Sequence, residues 1–315
     1  FPEFKIGSID IEFLNTIKKF LPDLEEIKFH GLGEPFLAKE TIFLHERIRT
    51  LYPNANVISI TNAAMSDLPF LVKNYLDHII ISIDHAQKDI LERMRRKINY
   101  DVLVANVLKL TEKNTKNQPC ITINCCFTSE TYKDLCKMIN FSNSLGVKDI
   151  RCNLVQNWVS DNSFSISDVA LDTVDIDELA EAILNAFRIA DALGVTMKII
   201  GNPDFTIEGC VWSRKMIYIT ESGEIAPCCM RTEPTHYFGS FLKRPFRDIW
   251  FGKEMNVFRQ NRIKGHYPTI CRNCPYLINA AVLKELEKRG VALTNDFFRH
   301  THRDHTKRSF DTNER

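Results

Sequence analysis

The sequence has almost no excess of charge: 41 Lys and Arg stand against 40 Asp and Glu in 315 residues, a formal net charge of +1. That balance leaves no electrostatic footprint for nucleic acid or for an anionic membrane surface. No apolar run approaches the ~20 residues that a membrane span needs, and no secretory signal opens the chain. No internal repeat stands out, and spacing alone singles out no acid–base pair or nucleophile. What is there is a chain that is 44% apolar, long enough for one large domain plus a smaller one.

Ten cysteines are present. Cys125, Cys126 and Cys152 lie inside apolar, strand-like runs, where a free thiol behaves as a small hydrophobe. A reduced, cytoplasmic setting suits them better than a disulfide framework. Four others form a pattern: Cys210-x12-Gly223-x4-Cys228 and, forty-two residues on, Cys271-Arg-Asn-Cys274-Pro275. Two pairs of thiolates can surround one centre, either a four-iron cluster or a tetrahedral zinc, and their spacing does not separate the two. Cys229 competes with Cys228, but neighbours in an extended segment point to opposite sides, and the glycine spacing favours Cys228. Residues 216–219 and 224–226 are predicted to form a hairpin around Ser222-Gly223, bringing Cys210 and Cys228 together.

Ahead of this region, strand and helix alternate. Phe13, Leu14, Ile17, Phe20 and Leu21 recur at helical spacing, with Ser8 or Asp10 as N-cap. Strands are expected at 26–30, 56–60, 79–83, 121–126, 149–154 and 196–200, with a helix at 39–51 between the first two. Gly146 and Gly194 are placed to end two of the helices. The pattern predicts an α/β fold with a parallel sheet, open or curled toward a barrel, whose ligands sit at the C-terminal strand ends. Because the chain starts on a helix, an initial strand is expected to precede it.

The polar residues at those ends are therefore the candidates. His30-Gly31-Leu32-Gly33-Glu34-Pro35 follows the first strand, and its glycines permit close backbone approach while Glu34 can pair with an ammonium. Thr61-Asn62 follows the second. Ser82-Ile83-Asp84, then Met94-Arg95-Arg96, follow the third, and an arginine there can hold a carboxylate. A cap or solvated face explains each alone equally well. Together they resemble the radical S-adenosylmethionine (radical SAM) superfamily over roughly residues 1–275. Gly33-Glu34-Pro35 is similar to the Gly-Gly-Glu-type motif that contacts the cosubstrate's amino group. Ser82, Asp84 and Arg95 are similar to the fourth-strand segment, with Ser82 and Arg95 as carboxylate or ribose contacts. Asn62 is similar to a third-strand position lining the same pocket.

The resemblance implies a partial (β/α)6 barrel lacking its first strand over 1–205 and a small cysteine-rich SPASM or twitch domain over 206–280. A helical then flexible tail would follow over 281–315. Ile225-Ala-Pro-Cys228-Cys229, Phe238-Gly239-Ser240 and Asp248-Ile249-Trp250 with Arg259 resemble the twitch pattern further. It implies one auxiliary 4Fe-4S cluster on Cys210, Cys228, Cys271 and Cys274. It implies S-adenosylmethionine as cosubstrate, a flavodoxin or ferredoxin as electron donor, and a 5′-deoxyadenosyl radical acting on a small-molecule or peptide substrate.

The family's C-x3-C-x2-C loop is not among these 315 residues. A second 4Fe-4S cluster is expected on residues upstream of Phe1, and the chain alone is expected to be inactive. The competing expectation is a non-catalytic scaffold with one structural metal site. Residues 156–175, with Trp158, read as a lid or an ordinary surface loop. His300, His302 and His305 read as a solvated tail.

Overall fold

The computed structural model describes residues 9, 11–31, 33–37, 41–65, 68, 75–112, 119–155, 170–230, 234–272 and 274–294. Ser8, Asp10, Leu32, Trp158 and the three tail histidines lie outside them.

The first part of the chain reads α1 (Ile11–Phe20), β1 (Glu26–Phe29), α2 (Thr41–Leu51), β2 (Asn56–Thr61), β3 (His78–Ser82), α3 (Lys88–Met94), α4 (Tyr100–Thr111) and β4 (Cys120–Phe127). It continues with α5 (Leu135–Ser144), β5 (Asp149–Leu154), α6 (Ile176–Leu193) and β6 (Thr196–Ile200). The six strands pair in sequence order, all parallel. β3 is buried along its whole length, which is why it reads as a continuous apolar run. α6 starts on the Asp175 carboxylate, which accepts the N–H of Asp177 and Glu178 at 2.9 and 3.1 Å. Gly194 closes α6 with φ of 61°, and Gly146 ends α5 with φ of 74°.

Alternation sorts the two faces of the sheet. Val57, Ile79, Ile81, Ile123, Cys125, Ile150, Cys152 and Ile199 belong to the hydrophobic core. Their neighbours one residue along point the other way. That second face carries the polar groups: His78 Nε2 lies 2.7 Å from Thr122 Oγ1, and Asn153 donates to Asn124 at 2.8 Å. Lys28–Glu26 and Lys198–Asp149 pair there at 3.7 and 3.6 Å. The second face mixes these polar groups with buried Ile58, Ile80 and Ile200, so it is enclosed as well, as the inner wall of a partial barrel is.

The C-terminal part holds a short antiparallel hairpin, β7 (Tyr218–Ile219) and β8 (Ile225–Ala226), then α7 (Phe246–Trp250), α8 (Lys253–Ile263), α9 (Thr269–Arg272), α10 (Pro275–Lys288) and β9 (Leu293–Thr294). Gly223 turns the hairpin with φ of 77°, and a Cβ there would stand 2.7 Å from Leu242 Cγ, so both conformation and space require glycine.

The sheet gains a seventh strand, because β9 pairs parallel to β6. The helix expected after residue 280 is α10, and Leu283, Leu286 and Val291 tie it and the following turn into the common core. A two-residue strand carries no readable periodicity, and the residues that dock it are spaced like any helix.

Candidate active site and metal centre

The turn after β1 places Glu34 against the end of β2. Glu34 Oε1 accepts from Thr61 Oγ1 at 2.6 Å and from Phe36 N at 3.4 Å, and Oε2 accepts from Asn62 N at 2.8 Å. Two carboxylate oxygens offer about four acceptor positions, so one remains for a cationic ligand. Asn62 contributes its backbone; its side-chain oxygen accepts from Ala64 N at 2.9 Å. The next peptides are clamped from α4, where Asn106 Nδ2 donates to the carbonyls of Ala63 and Met65 at 2.8 and 2.5 Å. The two glycines of the turn differ. A Cβ on Gly33 would meet nothing within 4 Å, whereas one on Gly31 would meet the Tyr218 hydroxyl at 3.2 Å. Only Gly33 faces open space.

At the end of β3 the carboxylate of Asp84 is engaged at both oxygens. Oδ2 pairs with Arg95 Nε at 2.6 Å and Oδ1 accepts from Cys126 N at 2.9 Å. Burial disfavours the Arg95 charge, and Asp84 more than restores it. The pair uses Nε, leaving the terminal guanidinium nitrogens as a fork for an anion. Ser82 stands opposite Asn124 in the β3–β4 register, buried on the same polar face as Asn153. Asp84 thus positions Arg95. This division of labour is not legible in the sequence, where Thr61 stands out only as a polar strand end and Asn106 not at all.

Farther along, Cys210, Cys228, Cys271 and Cys274 line a single cavity, with Phe205, Trp212, Phe258 and Arg262 among its walls. Cys229 is not part of that lining; burial pushes its thiol up to about 11, opposed by Lys28 on β1 and by a hydrogen bond with Tyr276. Burial, then Cys229, pushes the Cys228 thiol up to about 12, so it is protonated until a metal displaces the proton. Among the described residues no three His, Cys, Asp or Glu side chains converge tightly enough for one metal ion. The four thiols share one cavity wall with apolar side chains. Four cysteine donors in an apolar wall fit a four-iron cluster. The β7–β8 hairpin reaches the turn after β1: the Tyr218 hydroxyl donates to the His30 carbonyl at 3.4 Å, and the two rings meet edge to face at 5.4 Å.

Comparison with known proteins agrees with this geometry. Residues 11–142 match the radical SAM superfamily, and residues 210–275 match SPASM, an iron–sulfur cluster-binding domain. The chain thus carries a radical SAM domain followed by a C-terminal SPASM domain, and the cofactors these domains indicate are 4Fe-4S clusters and S-adenosylmethionine. A tungsten-containing aldehyde ferredoxin oxidoreductase cofactor-modifying protein of Pyrococcus furiosus is 21% identical over 290 residues, 84% of this chain and 77% of that one. Native anSMEcpe with bound AdoMet shares the fold with a TM-score of 0.60 at 15% identity, over 90% of this chain and 87% of that one. SuiB of Streptococcus suis bound to S-adenosylmethionine does so with a TM-score of 0.61 at 14% identity, over 84% of this chain and 63% of that one. Another SuiB structure holds its precursor peptide SuiA. Among the described residues no helix is long and apolar enough to cross a membrane.

Proposed function

We propose that this radical SAM enzyme binds its cosubstrate across the ends of β1, β2 and β3 and holds one auxiliary four-iron cluster on Cys210, Cys228, Cys271 and Cys274. S-adenosylmethionine held there would supply radical chemistry on the substrate once reduced by one electron through a cluster on cysteines outside these 315 residues. The chain's own residues do the positioning. Glu34 receives the amino group beside the open space at Gly33, with Pro35 fixing the turn. Arg95, anchored by Asp84, receives the carboxylate together with Ser82, and Asn62 holds the floor of the cradle.

The polar inner face of the barrel, where Lys28, Asn124, Arg151 and Asn153 lie, borders the substrate. That substrate is a peptide or a small molecule. A SuiB structure with its precursor peptide and the name of the Pyrococcus relative support one class each. The chemistry consumes an electron, so a donor of the flavodoxin or ferredoxin class is required. Cys125 and Cys152, buried as free thiols in the sheet, support a reducing cytoplasmic setting.

The observation that carries the reading is four cysteines from three separate segments on one cavity. Replacing Cys271 and Cys274 together by serine is expected to remove about four irons per chain after reconstitution, since one cluster holds four. Unchanged iron would sink the assignment.

A further inference from the structure

The cavity wall contains a charge that none of the four thiols explains. Arg262, on α8, is 3% exposed and lines the same space as the cysteines. Its guanidinium donates to three backbone carbonyls, Trp212 at 2.7 Å, Cys210 at 2.9 Å and Ile207 at 3.0 Å. Its Nε is buried without a hydrogen-bond partner among the described residues. Among the described residues no carboxylate forms a salt bridge with it; Glu208, half exposed and hydrogen-bonded to Tyr267, feels its charge only from a distance. One turn earlier Arg259 holds the Ser213 carbonyl at 2.5 Å and stacks on Trp250 at 4.4 Å, so it braces the same loop from outside the cavity.

A guanidinium cannot shed its proton, and burying it costs several kcal/mol unless an opposite charge answers it. Carbonyl dipoles, the Phe258 ring at 5.5 Å and the more exposed Glu208 carboxylate answer it in part. An anion in the cavity would complete the answer, and a cluster bound by four thiolates is one. We infer that Arg262 is the built-in counter-charge of the auxiliary cluster: a positioning residue that fixes the Cys210 loop and, by its field, favours the reduced cluster. This rests on the four-cysteine reading above. Reduction adds one electron to an already negative group. A fixed cation across an apolar wall, where screening is weak, stabilises the reduced form more than the oxidised one.

The test compares wild type, Arg262→Lys and Arg262→Gln in the reconstituted full chain. Iron is counted, and the cluster is titrated with dithionite and redox dyes while its electron paramagnetic resonance is followed. The signal that vanishes in the Cys271→Ser/Cys274→Ser variant identifies the auxiliary cluster. Arg262→Gln is expected to keep its iron and become harder to reduce, with roughly a tenfold lower reduced-to-oxidised ratio at fixed potential, which is ~59 mV for one electron. Arg262→Lys is expected to stay near wild type. If Arg262→Gln loses its iron while Arg262→Lys keeps it, the charge requirement also stands. Identical potentials in all three proteins, or equal iron loss in both variants, would overturn it, the latter because only the fork's shape would matter. Wild type with no iron removed by the double serine change would instead fail the underlying four-cysteine reading.

Discussion

Glu34 has its charge placed by neighbours that hold nothing else as tightly. The Thr61 hydroxyl donates to Oε1 at 2.6 Å and itself accepts from Ala63 N at 3.0 Å, so one small side chain locks both the carboxylate and the next turn. Ala63 has a left-handed φ of 54° and is fully buried, a conformation that a non-glycine residue adopts only when surroundings impose it. Thr61→Val keeps the shape and removes the hydroxyl. A hydrogen bond to a charged group contributes about 1.5–3 kcal/mol, so S-adenosylmethionine affinity is expected to fall by roughly tenfold or more. Equilibrium dialysis with labelled cosubstrate measures this. Unchanged affinity in a folded variant would mean that Glu34 does not receive the ligand.

On α2, His45 shows how an element can carry a pH limit. Its ring lies 4.4 Å from Phe29 and 5.7 Å from Phe36, its Nδ1 is 2.6 Å from the Thr41 carbonyl, and its Nε2 is buried without a partner among the described residues. Burial lowers its pKa from 6.5 to about 4, against the carbonyl, which favours the charged form. The folded ring therefore stays neutral down to about pH 4, while the unfolded one takes a proton below 6.5. Stability from this group is complete above pH 6.5 and is lost as pH falls toward 4, by a few kcal/mol at ~1.4 kcal/mol per pKa unit. His45→Phe is expected to flatten that part of the pH–stability curve, read from urea midpoints at pH 7 and pH 5. An equal slope in both proteins would refute it. None of this shows in the sequence, where His45 is one polar residue on a helix. By contrast β3 was legible because both of its faces are buried, and the hairpin because Ser222-Gly223 must turn. Arg262 was hidden for the same reason as His45: helix arginines usually face solvent, and only the fold of the 207–213 loop turns this one inward.

Across the whole molecule, the four-cysteine cavity is tied to the sheet edge by the chain on both sides. The chain leaves β6 and reaches Cys210 within ten residues; it leaves Cys274 straight into α10, which returns it to β6 as β9. Leu283 on α10 sits directly over Gly201, where an added Cβ would stand 2.3 Å from Leu283 Cδ1. Something must shift if that carbon is present: the buried Leu283 side chain, or with it α10, the helix that follows Cys274. Gly201→Ala is expected to cost about 1–3 kcal/mol by overpacking. Leu283→Ala alone is expected to cost about 2–5 kcal/mol through the cavity it leaves. In the double variant the methyl added at 201 occupies part of that cavity, so the costs fall short of additive by at least ~0.5 kcal/mol. Iron retention under a chelator should follow the same order, because displacing α10 moves Cys274 relative to Cys210. Urea unfolding of the four proteins, with chelator-released iron counted in parallel, checks both halves. Strict additivity with unaltered iron release would mean that α10 and the cluster loop move independently, and the sheet edge would then have no part in holding the metal.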